Sequence, residues 1–113
     1  TGPGPHKADL IMTLNGAPAK ERLSRGEQKA MTAAMIIAQA QIISESGETP
    51  ILMLDDISSE LDEVHLGQVL KAGERLGAQI LLTGTVLAPP IKSCEGSYKV
   101  FHVKQGSIDP FTV

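Results

Sequence analysis

The run Ile51-Leu52-Met53-Leu54, closed by Asp55-Asp56 and answered further along by Gln79-Ile80-Leu81-Leu82, constrains this chain more than any other feature. Short continuous apolar runs bounded by polar turns mark strands covered on both faces, as in a parallel sheet. Between the two runs, Ser59-Glu60-Leu61-Asp62 opens a segment whose Leu61, Val64, Leu66, Val69, Leu70 and Leu76 lie mostly at helical spacing. Strand, helix and strand in that order predict a right-handed βαβ crossover with parallel pairing. The chain is therefore expected to be α/β, with helices packed on the sheet.

The flanks add to this core. Asp9 to Leu14 reads as a strand followed by Asn15-Gly16, the strongest short signal for a hairpin. Ser24-Arg25-Gly26-Glu27 has the spacing of a capping box, in which Ser and Glu satisfy each other's backbone N–H groups. It predicts a helix from about Gly26 to Ile43. Met31, Ala34, Met35, Ala38 and Ile42 make one broad apolar face, and Ala30, Ala33, Ile36, Ile37, Ala40 and Ile43 extend it around most of the circumference. Such a helix should be largely buried. Ser44 to Pro50 is a polar loop, Pro89-Pro90 breaks the chain again, and Val100 to Ile108 reads as a closing hairpin or edge ladder around Gln105-Gly106. With 113 residues, 3% aromatics and no Trp, aliphatic side chains and Ala must build one modest core. Thr1-Gly2-Pro3-Gly4-Pro5 reads as a flexible lead, and a chain beginning without Met suggests part of a longer protein.

Composition narrows the function classes. A formal charge of -3 gives no general basic footprint, so any contact with nucleic acid is local or lies elsewhere. The single Cys94 excludes an internal disulfide framework and fits a reducing cytoplasm. The longest apolar runs, such as Met35-Ile36-Ile37-Ala38, are far too short to span a bilayer, and no signal peptide is visible.

Two places can carry chemistry. At the end of an apolar strand, one of two adjacent acids can hold Mg²⁺, which keeps several waters, and the other can position or deprotonate an attacking water. Carboxyl ends of parallel strands are also where such sheets bind ligands. Asp55-Asp56 fits this reading and, taken alone, equally fits two solvated acids starting a turn. Ser24-Arg25-Gly26-Glu27 is a cap first; a helix N-terminus with a Ser hydroxyl and a glycine is also an anion site. His6, His65 and His102 lack metal-ligand spacing and read as solvated or locally hydrogen-bonded. Met12, Met31, Met35 and Met53 read as packing, and Lys7 and Lys20-Glu21-Arg22 as mixed-charge surface.

Order gives these weak signals force. Leu23-Ser24-Arg25-Gly26-Glu27, a long helix, Ile51 to Asp56, then Ser59-Glu60-Leu61-Asp62 is the arrangement of signature motif, Walker B strand and D-loop in ATP-binding cassette (ABC) proteins. Within that class the chain resembles the RecF family, bacterial recombination ATPases related to SMC heads. Gly4-Pro5-His6-Lys7-Ala8-Asp9-Leu10 and the closing Phe101-His102-Val103 match that family as well. The resemblance runs over nearly all of residues 1–113 and implies the C-terminal part of an ABC-type ATPase head, with a parallel βαβ core and flanking hairpins.

The resemblance also implies roles. Asp55 would hold Mg²⁺ and Asp56 would orient or activate water. Ser24, Arg25, Gly26 and Glu27 would meet the γ-phosphate of ATP bound to a second copy. Asp62 would lie at the dimer seam. Thr83, where many transporter cassettes place a switch histidine on the strand-end loop Thr83-Gly84-Thr85, would hydrogen-bond phosphate or water. Asp56 stands where many cassettes carry Glu, and its shorter reach suits slow turnover. The family implies a cytoplasmic ATP-dependent homodimer on DNA, at gaps and single-to-double-strand junctions, with RecR and RecO helping to place RecA during DNA repair, recombination, replication and the SOS response. No G-x-x-x-x-G-K-[ST] phosphate loop occurs in the sequence, so these residues by themselves are not expected to hydrolyse ATP. The alternatives are a non-catalytic partner-binding module on a cassette fold, or another SMC-like head.

Overall fold

The computed structural model describes residues 12–94, 96 and 98–111. The element order is β1 (Thr13–Leu14), β2 (Ala17–Pro18), α1 (Ala19–Arg22), α2 (Arg25–Glu45), β3 (Ile51–Leu54), α3 (Ile57–Glu60), α4 (Glu63–Arg75), β4 (Gln79–Leu82), α5 (Pro89–Lys92), β5 (Val100–Lys104) and β6 (Ser107–Phe111). The expected strand start at Asp9 to Ile11, and the Gly4–Leu10 stretch that bears on the family resemblance, lie outside the described residues.

The βαβ unit forms as the sequence implies. β3 and β4 pair in parallel, with Ile51 opposite Gln79 and Leu54 opposite Leu82. α4 crosses between them, its inner stripe of Leu66, Val69, Leu70, Ala72 and Gly73 buried. Gly73 fits that close approach, since a Cβ there would lie 2.6 Å from Ile80 Cδ1 and the end of that side chain would have to turn aside. The core gathers Ala33, Leu54, Ile57, Leu61, Leu66, Val69 and Leu70, with Ile36, Ile37, Ile80, Leu82 and Ile91 packed against it. Leu66 and Val69 are almost wholly shielded from solvent.

Both hairpins close through two-residue turns. β1 and β2 pair antiparallel across Asn15-Gly16, and β5 and β6 across Gln105-Gly106. All four turn residues have positive φ, between 46° and 82°, which matches the twist of the flanking strands and favours Asn and Gly. The closing segment is thus a separate antiparallel pair, not an added edge of the parallel sheet. Pro89-Pro90 does break the chain from the preceding loop, yet it also begins the single turn α5. Proline is at home there, because the first helical N–H groups have no intrahelical partner to lose.

Two expectations about coverage fail for one reason. β3 is covered on a single face: Leu54 is buried, whereas Ile51 is 60% and Met53 77% exposed, with Leu81 beside them 49% exposed. α2 runs Arg25–Glu45 but buries only Ala33 and Ala40, which lie on one stripe. Ala30, Ala34 and Ala38 are exposed, and Ile42 is exposed as well. The described residues supply one helical layer, so apolar side chains outside the α2–α4 contact and on the far side of the sheet meet solvent. Among the described residues, no helix is long and apolar enough to cross a membrane.

Candidate functional site

The parallel strands end side by side, which brings Asp55, Asp56 and Thr83 together. Thr83 N–H continues the ladder by donating to Leu54 O at 3.0 Å. The Thr83 hydroxyl then does two things: it accepts the Asp56 N–H at 2.8 Å and bonds the Asp55 carboxylate through Oδ1. A hydroxyl carries a single proton. Because the Asp56 amide must be the donor in the first bond, the Thr83 proton goes to Asp55.

Asp56 itself has φ 48° and ψ 46°, the left-handed conformation, and caps α3 without a side-chain cap bond. Its carboxylate Oδ2 instead accepts from the Ser59 hydroxyl at 2.6 Å, a length typical of a charge-assisted O–H···O⁻ bond. Asp55, Asp56, Ser59 and Thr83 are all exposed, so the cluster opens to solvent at the strand ends. The sequence motif flags Asp55 and Asp56. Ser59 as a partner of Asp56 was visible only as a hydroxyl three positions further on, a spacing that one turn of α3 converts into contact.

The predicted cap residues sit at the head of α2. Ser24 Oγ accepts the Glu27 N–H at 3.2 Å while Ser24 N–H donates to Glu27 Oε1 at 3.1 Å, so the capping box is complete. Hydrogen bonding from the Ser24 backbone, and then from its side chain, holds the Glu27 carboxyl below its ordinary value. Ser24, Arg25, Gly26 and Glu27 are exposed, and nothing lies within 4 Å of where a Cβ on Gly26 would stand. The helix end is capped and accessible.

Asp62 is the N-cap of α4, accepting the His65 N–H at 2.9 Å and the His65 ring Nδ1 at 2.7 Å. The His65 backbone N–H is the main cause holding Asp62 below its ordinary value; the His65 ring and the charge of Lys29, on α2, act in the same direction. His65 is thus locally hydrogen-bonded, as expected. Cys94 is half-buried; its Sγ donates to Pro90 O at 3.4 Å, and burial, followed by Glu74, raises its thiol above the ordinary value. It lines an open groove of about 820 Å³ with Ile37, Gly67, Leu70 and Glu74, away from the strand-end acids.

Among the described residues no group of three His, Cys, Asp or Glu side chains converges as a metal cage. That arrangement still fits Mg²⁺, which takes one or two carboxylates and fills its remaining positions with water and phosphate oxygens. Asp55 would be the ligand, and the Thr83 bond occupies only one of its oxygens.

Comparison with curated proteins gives a consistent result. The chain is 47% identical over 111 residues to the DNA replication and repair protein RecF of Saccharophagus degradans, covering 93% of this chain and 30% of that protein. It is 39% identical over 109 residues to RecF of Xanthomonas axonopodis pv. citri, covering 96% and 30%. It is 38% identical over 113 residues to RecF of Cellvibrio japonicus, covering 96% and 31%. No family model and no solved structure matches. The chain spans about 30% of the length of these relatives. Along the stretch it shares with them, this chain belongs to the RecF family of DNA replication and repair proteins.

Proposed function

We propose that this chain is the signature-motif, Walker B and D-loop portion of a RecF-like DNA-repair ATPase head, working as an ATP-dependent dimer on DNA. The observation that carries the reading is the pair Asp55-Asp56 at the end of β3, held against Thr83 at the end of the parallel β4, with an accessible capped helix head elsewhere on the same fold. Mg²⁺ bound with ATP would neutralise charge that builds on the transferring phosphate. Asp55 holds the metal side of that site, and Asp56 orients a water or takes its proton. Ser24, Gly26 and the first N–H groups of α2 offer donors to the γ-phosphate of a nucleotide on a second copy, with Arg25 adding positive charge. Asp62, the N-cap of α4, would lie at the seam between copies.

Each copy thereby supplies half of two sites, and ATP joins them. The proposal extends to DNA at gaps and single-to-double-strand junctions, with RecR and RecO as helpers in loading RecA; what supports it is that the relatives are named for DNA replication and repair. The test uses the full-length protein. Asp56→Asn should keep ATP binding and prolong the dimer, while Asp55→Asn should lose retention of Mg²⁺-ATP itself. Parent-like hydrolysis by both variants would refute the assignment.

A further inference from the structure

We infer that Ser59 and Thr83 are positioning residues that set the two strand-end carboxylates, Thr83 for Asp55 and Ser59 for Asp56; the inference rests on the ATPase reading above. A carboxylate at a strand end can rotate about χ1 and χ2, and a metal ligand or a water-orienting acid works only in a narrow range of those angles. Here each acid is pinned by one hydroxyl. Thr83 bonds Asp55 Oδ1, and its oxygen is itself fixed by the Asp56 N–H at 2.8 Å. Ser59 Oγ reaches Asp56 Oδ2 at 2.6 Å and Asp56 O at 3.1 Å. With one proton to give, the hydroxyl favours the charged acceptor.

The direction of every bond is determined. Asp56 N–H donates to Thr83, Thr83 donates to Asp55, and Ser59 donates to Asp56. The network uses one oxygen of each carboxylate and leaves the other for metal or water. It also stabilises the left-handed backbone at Asp56 from both sides, by its N–H to Thr83 and by its carboxylate to α3. Thr83 is therefore already engaged with protein, and its contribution runs through Asp55 in place of a direct bond to phosphate.

The two hydroxyls should separate kinetically in the full-length protein. Ser59→Ala is expected to lower kcat about ten-fold with KM for ATP little changed, the rate equivalent of one hydrogen bond to a charged group. Thr83→Val, of similar shape, should raise KM for Mg²⁺-ATP by about the same factor. Ser59→Thr and Thr83→Ser, which keep the hydroxyls, should recover parent behaviour. Parent-like kinetics for Ser59→Ala and Thr83→Val overturn the inference, and so does equal impairment of the hydroxyl-retaining pair. Asp56→Asn, run alongside, distinguishes the two levels. If it abolishes turnover while Ser59→Ala and Thr83→Val do not matter, only the positioning roles fall; if it and Asp55→Asn both turn over like the parent, the ATPase reading falls and takes them with it.

Discussion

Replacing Ser24 by Asp separates the cap from the proposed anion site. The Ser24 side chain accepts one N–H, from Glu27 at 3.2 Å, and the backbone of Ser24 returns a bond to Glu27 at 3.1 Å. Asp is as good an N-cap as Ser, so the variant keeps the acceptor and should fold normally, whereas Ser24→Ala loses it at a cost of about 0.5–2 kcal/mol. The charge acts on the docking step. Arg25 and Glu27 balance each other formally at the head of α2, and a new carboxylate makes this end net negative. A phosphate docked roughly 4 Å from that carboxylate meets a repulsion of about 1 kcal/mol per unit charge in open solvent, rising to about 4 kcal/mol near a protein surface. In dimer affinity that is a loss of roughly five-fold to several hundred-fold. Sedimentation velocity of the full-length protein with and without ATP reads it directly. Ser24→Asp should melt like the parent and remain monomeric with ATP, while Ser24→Ala melts lower and dimerises more weakly than the parent but more tightly than Ser24→Asp. ATP-dependent dimers of parent affinity from Ser24→Asp would refute the reasoning and leave Ser24 as a cap alone.

Packing and titration give further tests. Gly73→Ala gains about 1 kcal/mol of helix propensity but sets a Cβ 2.6 Å from Ile80 Cδ1, an overpacking worth about 1–3 kcal/mol, so it should be neutral to destabilising. In an Ile80→Val background the same change should stabilise; strict additivity in urea unfolding would contradict this packing. Glu27 and Asp62, whose folded carboxyls lie below their ordinary values of 4.5 and 3.8, contribute stability that is present above those values and lost as pH falls through the lowered ones. Acid unfolding curves of Glu27→Gln and Asp62→Asn should therefore be shallower than the parent's in that window.

Local signals in the sequence translated well where their physics is local. Asn15-Gly16 gave a two-residue hairpin, Ser24 and Glu27 gave the complete capping box, and the two four-residue apolar runs paired in parallel. The reading of coverage did not carry over, because an apolar run such as Ile51 to Leu54 records the surroundings for which it is suited, and here one face meets solvent. The strand-end acids were legible from Asp55-Asp56, yet their hydroxyl partners were not. Thr83 lies 28 positions from Asp55, and only the parallel register makes them neighbours. Likewise Ser59-Glu60-Leu61-Asp62 reads as one helix start, but Leu61 is extended, so Ser59 belongs to the short α3 while Asp62 opens α4.

The left-handed backbone at Asp56 bears on how this protein can be engineered. For an L-residue that conformation costs roughly 1–2 kcal/mol, less for Asp and Asn and almost nothing for Gly. On the role proposed for Asp56, position 56 thus answers to folding and to chemistry separately. A screen that rewards thermal resistance alone sets the strain that Gly would relieve against the Ser59 bond that Gly would lose, and gives the carboxylate no credit for anything else. Selection has to weigh turnover at this position for the chemistry of the acid to count.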